Sequence, residues 1–283
     1  MLRKTMHAVQ LTGHGGLNKL LYRTDMPVPV PDVDEVLINL TAAGVNNTDI
    51  NTRIGWYSKS VRVDTNSGGF AGIDNINTTD AGWSGEPLVF PRIQGADVSG
   101  FIVAVGKDVD PARIGERVLA RTMMQNPKNN NRFDCWTIGS ECDGGFAQYS
   151  KIRSSEAFAI DSSWSDVELA SIPCAYSTAE NMLHRVKLGR ERVLITGASG
   201  GVGVAAIQLA KRRGAEVVAQ AAIKKSEAVM AAGASYVFDR NENPSEILGA
   251  NGVDVVVDLV AGPTWPNLLD VMKRGGRYVT AGA

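Results

Sequence analysis

From Arg192 onward the apolar residues come in unbroken runs: RVLITG (192–197), EVVAQA (216–221), ASYVFD (234–239), VDVVVDLV (253–260) and GRYVTAGA (276–283). A strand that is apolar on both faces belongs inside a parallel sheet covered by helices on either side. The stretches between the runs carry a helical period over 202–213, 225–232, 244–249 and 264–273. This alternation predicts a doubly wound α/β sheet. Just upstream, Ser165 and Glu168 in S-D-V-E form a capping box that opens an apolar helix reaching about His184.

Residues 1–160 have another texture. Short β-like runs (MHAVQLTG, EVLINLTAAGV, SGFIVAVG, ERVLAR) are separated by Gly, Pro, Asn and Asp clusters, which predicts an irregular all-β domain. The division expected is 1–160 and 161–283. Residues 58–86 and 124–134 are polar and show no period; the first is either a lid beside a site or a plain surface insertion. A dinucleotide-binding sheet has six strands, whereas the last run here is the fifth. A missing final strand is therefore expected, and with it an exposed sheet edge.

Composition narrows the class. The chain has 283 residues, a net charge of −1, 44% apolar residues and 30 glycines, enough for two domains with real cores. Balanced charge argues against nucleic acid or an anionic membrane as the main partner. No apolar run reaches the length of a membrane span, and the start MLRKTMHAVQ has no apolar signal-peptide core. Three cysteines, Cys135, Cys142 and Cys174, suit a reducing compartment better than a disulfide framework, so a cytoplasmic protein is expected.

Two stretches carry candidate chemistry. In I-T-G-A-S-G-G-V-G (195–203) a strand turns into a helix. There Gly200 and Gly201 let backbone amides approach a pyrophosphate, and Gly203 lets the helix pack close to the strand. Ala198 stands where the first glycine of G-x-G-x-x-G belongs, and Ser199 and Val202 complete the cradle. The second strand ends in A-Q-A-A-I-K-K-S, with no acid for a ribose 2′-hydroxyl. Lys224 and Lys225 follow, which suits the 2′-phosphate of NADP(H); the alternative is that they solubilise the next helix. The other stretch is Q-G-A-D-V-S-G (94–100), where Asp97 is a turn residue, a proton-transfer group or half of a metal site.

In order along the chain stand AAGVNNTD, QGADVSGFIVAVG, GERVLAR, SECDGGFAQY, PCAYSTAENML and VLITGASGGVG. This series resembles the medium-chain dehydrogenases/reductases over essentially the whole length. The resemblance implies a GroES-like β domain followed by an incomplete Rossmann domain whose return segment is absent. Zinc-dependent members carry a cysteine in G-x-C-x-x-D and a His-Glu pair in G-H-E-x-x-G. Here Asn46, Ala96 and Asp97 stand at those positions, with Cys174 where a third ligand would lie, so no metal is expected.

G-V-N-N-T-D, the R-x-G-x-Y of Arg53, Gly55 and Tyr57, and A-S-G-G-V-G resemble instead the zinc-free quinone oxidoreductase and enone reductase branch. That implies an NADPH-dependent, metal-independent reductase of a quinone or conjugated carbonyl, a homodimer when full-length. Asn46 and Tyr57 are the expected hydrogen-bond donors to the acceptor carbonyl, Asn46 also to the cofactor ribose. Their alternatives are a turn residue and a loop aromatic. The resemblance implies that Thr178 faces the nicotinamide, and Val260 is a further cofactor contact expected. Asp49 is read as ordering its loop, and His7, His14 and His184 as surface or packing residues. Two other readings stay open: a zinc-type alcohol dehydrogenase and a non-catalytic NADPH-binding redox sensor or structural protein.

Overall fold

A computed structural model describes residues 3–62, 68–126, 131, 134–262 and 265–281. Parts of the predicted 58–86 and 124–134 loops, residue 264 of the last predicted helix and the end of the last strand lie outside the described residues. The chain divides into two compact units, one running to Cys174 and the other from Ala175, with Arg62 grouped with the second.

The first unit is built of short strands: β1 (Thr5–Leu11), β2 (Leu20–Pro27), β3 (Glu35–Ala42), β4 (Arg92–Ile93), β5 (Ser99–Val105), β6 (Arg117–Ala120), β7 (Met123–Gln125), β8 (Cys135–Thr137), β9 (Tyr149–Arg153) and β10 (Ala157–Ala159). Five of them form a sheet in the order β10-β6-β5-β3-β9, and β2-β1-β4 form a second. In β6 and β9 buried and less buried residues alternate, which turns Val118, Ala120 and Ile152 into a core with Val36, Ile38 and Ile102. One helix, α1 (Asn47–Ile54), follows β3 and is flanked by the predicted catalytic residues Asn46 and Tyr57.

The predicted helix from Ser165 to His184 is two helices, α2 (Asp166–Ala170) and α3 (Pro173–Arg185). The capping box forms as expected: Ser165 Oγ accepts from Glu168 N at 3.3 Å, and Glu168 accepts from Ser165 N at 2.8 Å. Pro173 then interrupts, since it lacks an N–H and biases the residue before it away from helical backbone. α2 packs on β3 and β5, so the boundary between units falls after Cys174 rather than at 160.

The second unit is a five-stranded parallel sheet of β11 (Arg192–Ile195), β12 (Glu216–Ala221), β13 (Tyr236–Asp239), β14 (Val253–Asp258) and β15 (Met272–Thr280), in the order β13-β12-β11-β14-β15. Its helices are α3, α4 (Gly201–Arg212), α5 (Ser226–Ala232), α6 (Pro244–Leu248) and α7 (Pro266–Asp270). The unbroken apolar runs have their physical reason here. Val193 and Ile195 of β11 pack with Leu183, Ile207 and Ala210 on one face, while Leu194 between them packs with Val218, Phe238 and Leu268 on the other.

The last predicted helix is shorter than expected, and β15 begins at Met272 rather than Gly276. Its register against β14 shifts between Val253 and Val255, and Gly275, at φ +77°, lies in the irregular stretch. Among the described residues no helix is long and apolar enough to cross a membrane.

Candidate active site and cofactor cradle

After β3 the chain turns through Ala43–Val45 and enters α1, with Asn46 as the residue before its first turn (φ −115°, ψ 161°). The expected strand EVLINLTAAGV therefore stops at Ala42. Asp49 sits three residues into the helix, where a carboxylate reaches back to the entering chain. Its Oδ2 accepts the Asn46 N–H at 2.8 Å and its Oδ1 accepts the Ala96 N–H at 2.9 Å. Gln94 donates to the Asp49 carbonyl at 2.9 Å. Asp49 thus stitches α1 to the 94–97 segment, a wider role than the local loop bond expected. Burial pushes its carboxyl up to about 7, opposed by the N–H groups of Asn46 and Ala96.

Asp97 is 1% exposed and both its oxygens are engaged. Oδ2 accepts from Asn46 Nδ2 at 2.7 Å and Oδ1 from Cys174 N at 2.7 Å. Cys174 closes the first unit, so this bond ties the last residue of the unit to the 94–97 segment. Burial raises the Asp97 pKa, and the Asn46 and Cys174 N–H groups pull it back.

The Tyr57 hydroxyl does not stand alone. It donates to Thr48 Oγ1 at 2.9 Å, and Trp83 Nε1 donates to the same oxygen at 2.8 Å. Tyr57 and Trp83 rings lie 4.8 Å apart, tilted by 40°. Burial pushes the phenol up to about 12, so Tyr57 keeps its proton near neutral pH. With both lone pairs of Thr48 Oγ1 taken, the Thr48 hydroxyl is left as an outgoing donor. The sequence reading missed Thr48 and Trp83. Thr48 stood inside VNNTD, and a tryptophan in an otherwise polar stretch was the available signal for Trp83. Part of the 58–86 segment therefore does reach α1.

The remaining residues singled out have ordinary surroundings. Arg53 is buried and donates to the carbonyls of Gly15 and Gly69. His7 Nδ1 lies 2.7 Å from the Tyr22 hydroxyl and His14 Nδ1 lies 3.0 Å from the Thr52 carbonyl. Burial lowers the His14 pKa. Cys142 lies against the Thr137 carbonyl, and burial pushes its thiol up to about 12.

The donor set does not fit a catalytic zinc, which needs three protein ligands around an open position. Asn46 offers an amide already turned to Asp97, and Ala96 has no donor atom and is buried. Among the described residues no group of three His, Cys, Asp or Glu side chains could hold a metal ion.

In the second unit β11 runs into the glycine turn. Gly197 takes φ +58°, and Gly200 N–H bonds back to its carbonyl at 3.0 Å. The left-handed residue is thus Gly197, not Gly200 or Gly201. Gly203 is required by packing: a Cβ there would lie 2.5 Å from the Gly197 carbonyl oxygen. At Gly200 and Gly201 an added Cβ would meet only ordinary contacts, at 3.4 and 3.7 Å. The fold itself does not demand glycine at these two exposed positions, and the bare backbone there suits a ligand that approaches closely.

The first N–H groups of α4, on Gly201, Val202 and Gly203, have no acceptor within the helix. Ser199 and Val202 are half-buried beside them. Ala198 is different: it is fully buried and its N–H donates to the Gln220 carbonyl at 3.2 Å, so its amide is engaged within the sheet.

Lys224 and Lys225 are exposed at the end of β12, and neither makes an ion pair among the described residues. The sequence showed no acid here, yet β13 delivers one: Asp239 Oδ2 accepts the Ile223 N–H at 2.9 Å. Thr178 is half-buried on α3. Val260 lies in a loop fixed by Asp258, whose Oδ1 accepts from Thr196 Oγ1 at 2.6 Å and Val260 N at 3.0 Å, and whose Oδ2 accepts from Tyr278 at 2.5 Å. That knot ties together the C-terminal ends of β11, β14 and β15, the edge at which doubly wound sheets bind their ligands.

Comparison with known proteins agrees with both units. Residues 32–162 match a family described as alcohol dehydrogenase GroES-like domain, and residues 201–283 one described as zinc-binding dehydrogenase. A crystal structure of a provisionally assigned alcohol dehydrogenase from Sinorhizobium meliloti is 44% identical, with a TM-score of 0.85, over 100% of this chain and 76% of that one. A cobalt- and zinc-bound alcohol dehydrogenase from Pyrobaculum aerophilum is 27% identical, with a TM-score of 0.76, over 98% of this chain and 76% of that one. The quinone oxidoreductase of Lama guanicoe is 28% identical over 99% of this chain and 74% of its own length.

Proposed function

Because the chain belongs to the medium-chain dehydrogenase/reductase superfamily, and is thereby an oxidoreductase that uses a pyridine nucleotide, we propose that it reduces a quinone or an α,β-unsaturated carbonyl with NADPH and without a metal. The observation that carries this reading is the donor set on α1. Asn46 and Thr48 supply neutral hydrogen-bond donors, Tyr57 spending its own O–H on Thr48 rather than on the acceptor as expected, and the position that would need a metal-binding side chain is Ala96. Such donors suit a carbonyl oxygen that gains negative charge, because oriented dipoles in a partly buried site stabilise it without reorganising.

NADPH, when bound, supplies the hydride; the proton that completes the reduced product comes from solvent or a site hydroxyl. The roles of the residues follow. Asn46 donates to the acceptor oxygen or the cofactor ribose, and the Thr48 hydroxyl, loaded by Tyr57 and Trp83, donates beside it. The α4 N-terminus, with Ser199, Gly200, Gly201 and Val202, cradles the pyrophosphate. Thr178 and Val260 flank the nicotinamide side, and Lys225 with Lys224 neutralises the 2′-phosphate. Support for NADPH over NADH is a pair of lysines that form no ion pair among the described residues; Asp239 beside them is turned to backbone N–H groups.

The test mixes the protein with NADPH or NADH and a panel of quinones, enones and alcohols and follows nicotinamide absorbance. Turnover of quinones or enones with NADPH is expected. Cofactor binding without reduction of any acceptor, or stoichiometric zinc with alcohol oxidation, would overturn the proposal.

A further inference from the structure

The Asp97 carboxylate is used by neither the cradle nor the donor set, yet it is the most buried charge-bearing group on this side of the first unit, at 1% exposure. No cation pairs with it among the described residues; its partners are the Asn46 side-chain amide and the Cys174 backbone N–H, each at 2.7 Å. An ionised carboxylate only accepts hydrogen bonds, so the atom of Asn46 that faces it must be nitrogen. An asparagine in water has two near-equivalent orientations; beside Asp97 it has one. The N–H spent on Asp97 leaves the second N–H as what Asn46 can offer elsewhere, since its Oδ1 faces the Asp49 N–H in the capping box that opens α1.

The surrounding chain is built to keep this contact. A Cβ on Gly44 would lie 2.3 Å from Asp97 Oδ2 and 2.8 Å from the Ala170 carbonyl oxygen, so the carboxylate has its place only because residue 44 has no side chain. Asp49 holds the backbone of Asn46 and of Ala96 from the other side, which fixes the separation of residues 46 and 97 independently of their side chains. The backbone N–H of Cys174 cannot turn away, so it holds the second oxygen in place.

We propose that Asp97 is a positioning residue: its buried carboxylate locks the Asn46 amide in the single orientation in which the site uses it. The proposal rests on the reductase reading for its effect on turnover, but not for its effect on Asn46. In Asp97→Asn one oxygen must serve two donors. The fixed Cys174 N–H takes it, the new NH2 faces Asn46, and the Asn46 amide turns over to present its oxygen inward. Gly44→Ala reaches the same contact by another route, pushing the carboxylate aside while keeping its charge.

The experiment labels asparagine side chains with 15N, assigns Asn46 by its loss in Asn46→Ser, and records its NH2 resonances together with quinone reduction and thermal melting. Expected for Asp97→Asn and for Gly44→Ala are displaced Asn46 resonances and a kcat lowered about tenfold or more, with KM changed by less than about threefold. A purely structural role would lower the melting temperature and leave kcat of the folded fraction and the Asn46 resonances where they were; that outcome overturns the proposal. Should Asp97→Asn fail to fold, Gly44→Ala decides. If the wild type reduces no acceptor, the reductase reading falls, and displaced or unmoved Asn46 resonances still decide the role of Asp97.

Discussion

Neighbouring glycines of the cradle have opposite duties, and the difference is measurable. A Cβ at residue 203 would meet the Gly197 carbonyl oxygen at 2.5 Å, backbone that cannot step aside. Gly203→Ala should therefore cost about 1–3 kcal/mol in urea unfolding, the usual range for overpacking. Gly200→Ala meets only a 3.4 Å contact, so its stability should change by about 0.5 kcal/mol or less. Its NADPH affinity should fall instead, and a titration beside the unfolding curve separates the two effects.

Asp49 gives a pH signature. Its folded pKa of about 7 lies above its ordinary 3.8, so the folded chain holds a proton that the unfolded chain has released between these values. Its contribution to stability is fully present below about pH 4 and is lost as pH rises through about 7. Urea midpoints across that window should fall with pH in the wild type and run flatter in Asp49→Asn. The variant should be less stable throughout, since its NH2 faces a backbone N–H.

At the scale of elements, the two halves of the predicted Ser165–His184 helix behave as separate pieces. The capping box predicts that Ser165→Ala destabilises the first unit by about 1 kcal/mol. The residue after the break, Cys174, donates its N–H to Asp97, so a local rule of proline chemistry bears on the site. The knot at the ends of β11, β14 and β15 makes a second prediction. Tyr278→Phe leaves one Asp258 oxygen without its 2.5 Å donor and should cost about 1–3 kcal/mol, read by urea unfolding. Because Asp258 also holds the Val260 N–H, NADPH affinity should weaken in the same variant.

For the whole molecule, a bound cofactor stabilises the folded state by mass action. NADPH at a hundred times its dissociation constant should add about 2.7 kcal/mol, and NADH at the same concentration less. Replacing Lys224 and Lys225 by alanine should narrow the gap between the two; an unchanged gap in thermal shift would remove the lysines from cofactor choice.

What the sequence determined by itself was everything that repeats or is local. Unbroken Val/Ile/Leu runs, the strand-turn-helix of ITGASGGVG and the S-D-V-E box each depend on neighbours a few residues away, and each forms the element the pattern predicted, with the ends shifted most at β15. Asn46, Tyr57 and Thr178 were named as candidates from motif positions alone. Tertiary structure alone decided their partners. Asn46 meets Asp97 across 51 positions, Trp83 meets Thr48 across 35, and Asp239 reaches Ile223 from a neighbouring strand. The reason is that a carboxylate or an indole carries no sequence mark of the donor or acceptor it will find. Periodicity reports which face of an element is buried, whereas hydrogen-bond partners are chosen only when distant elements pack.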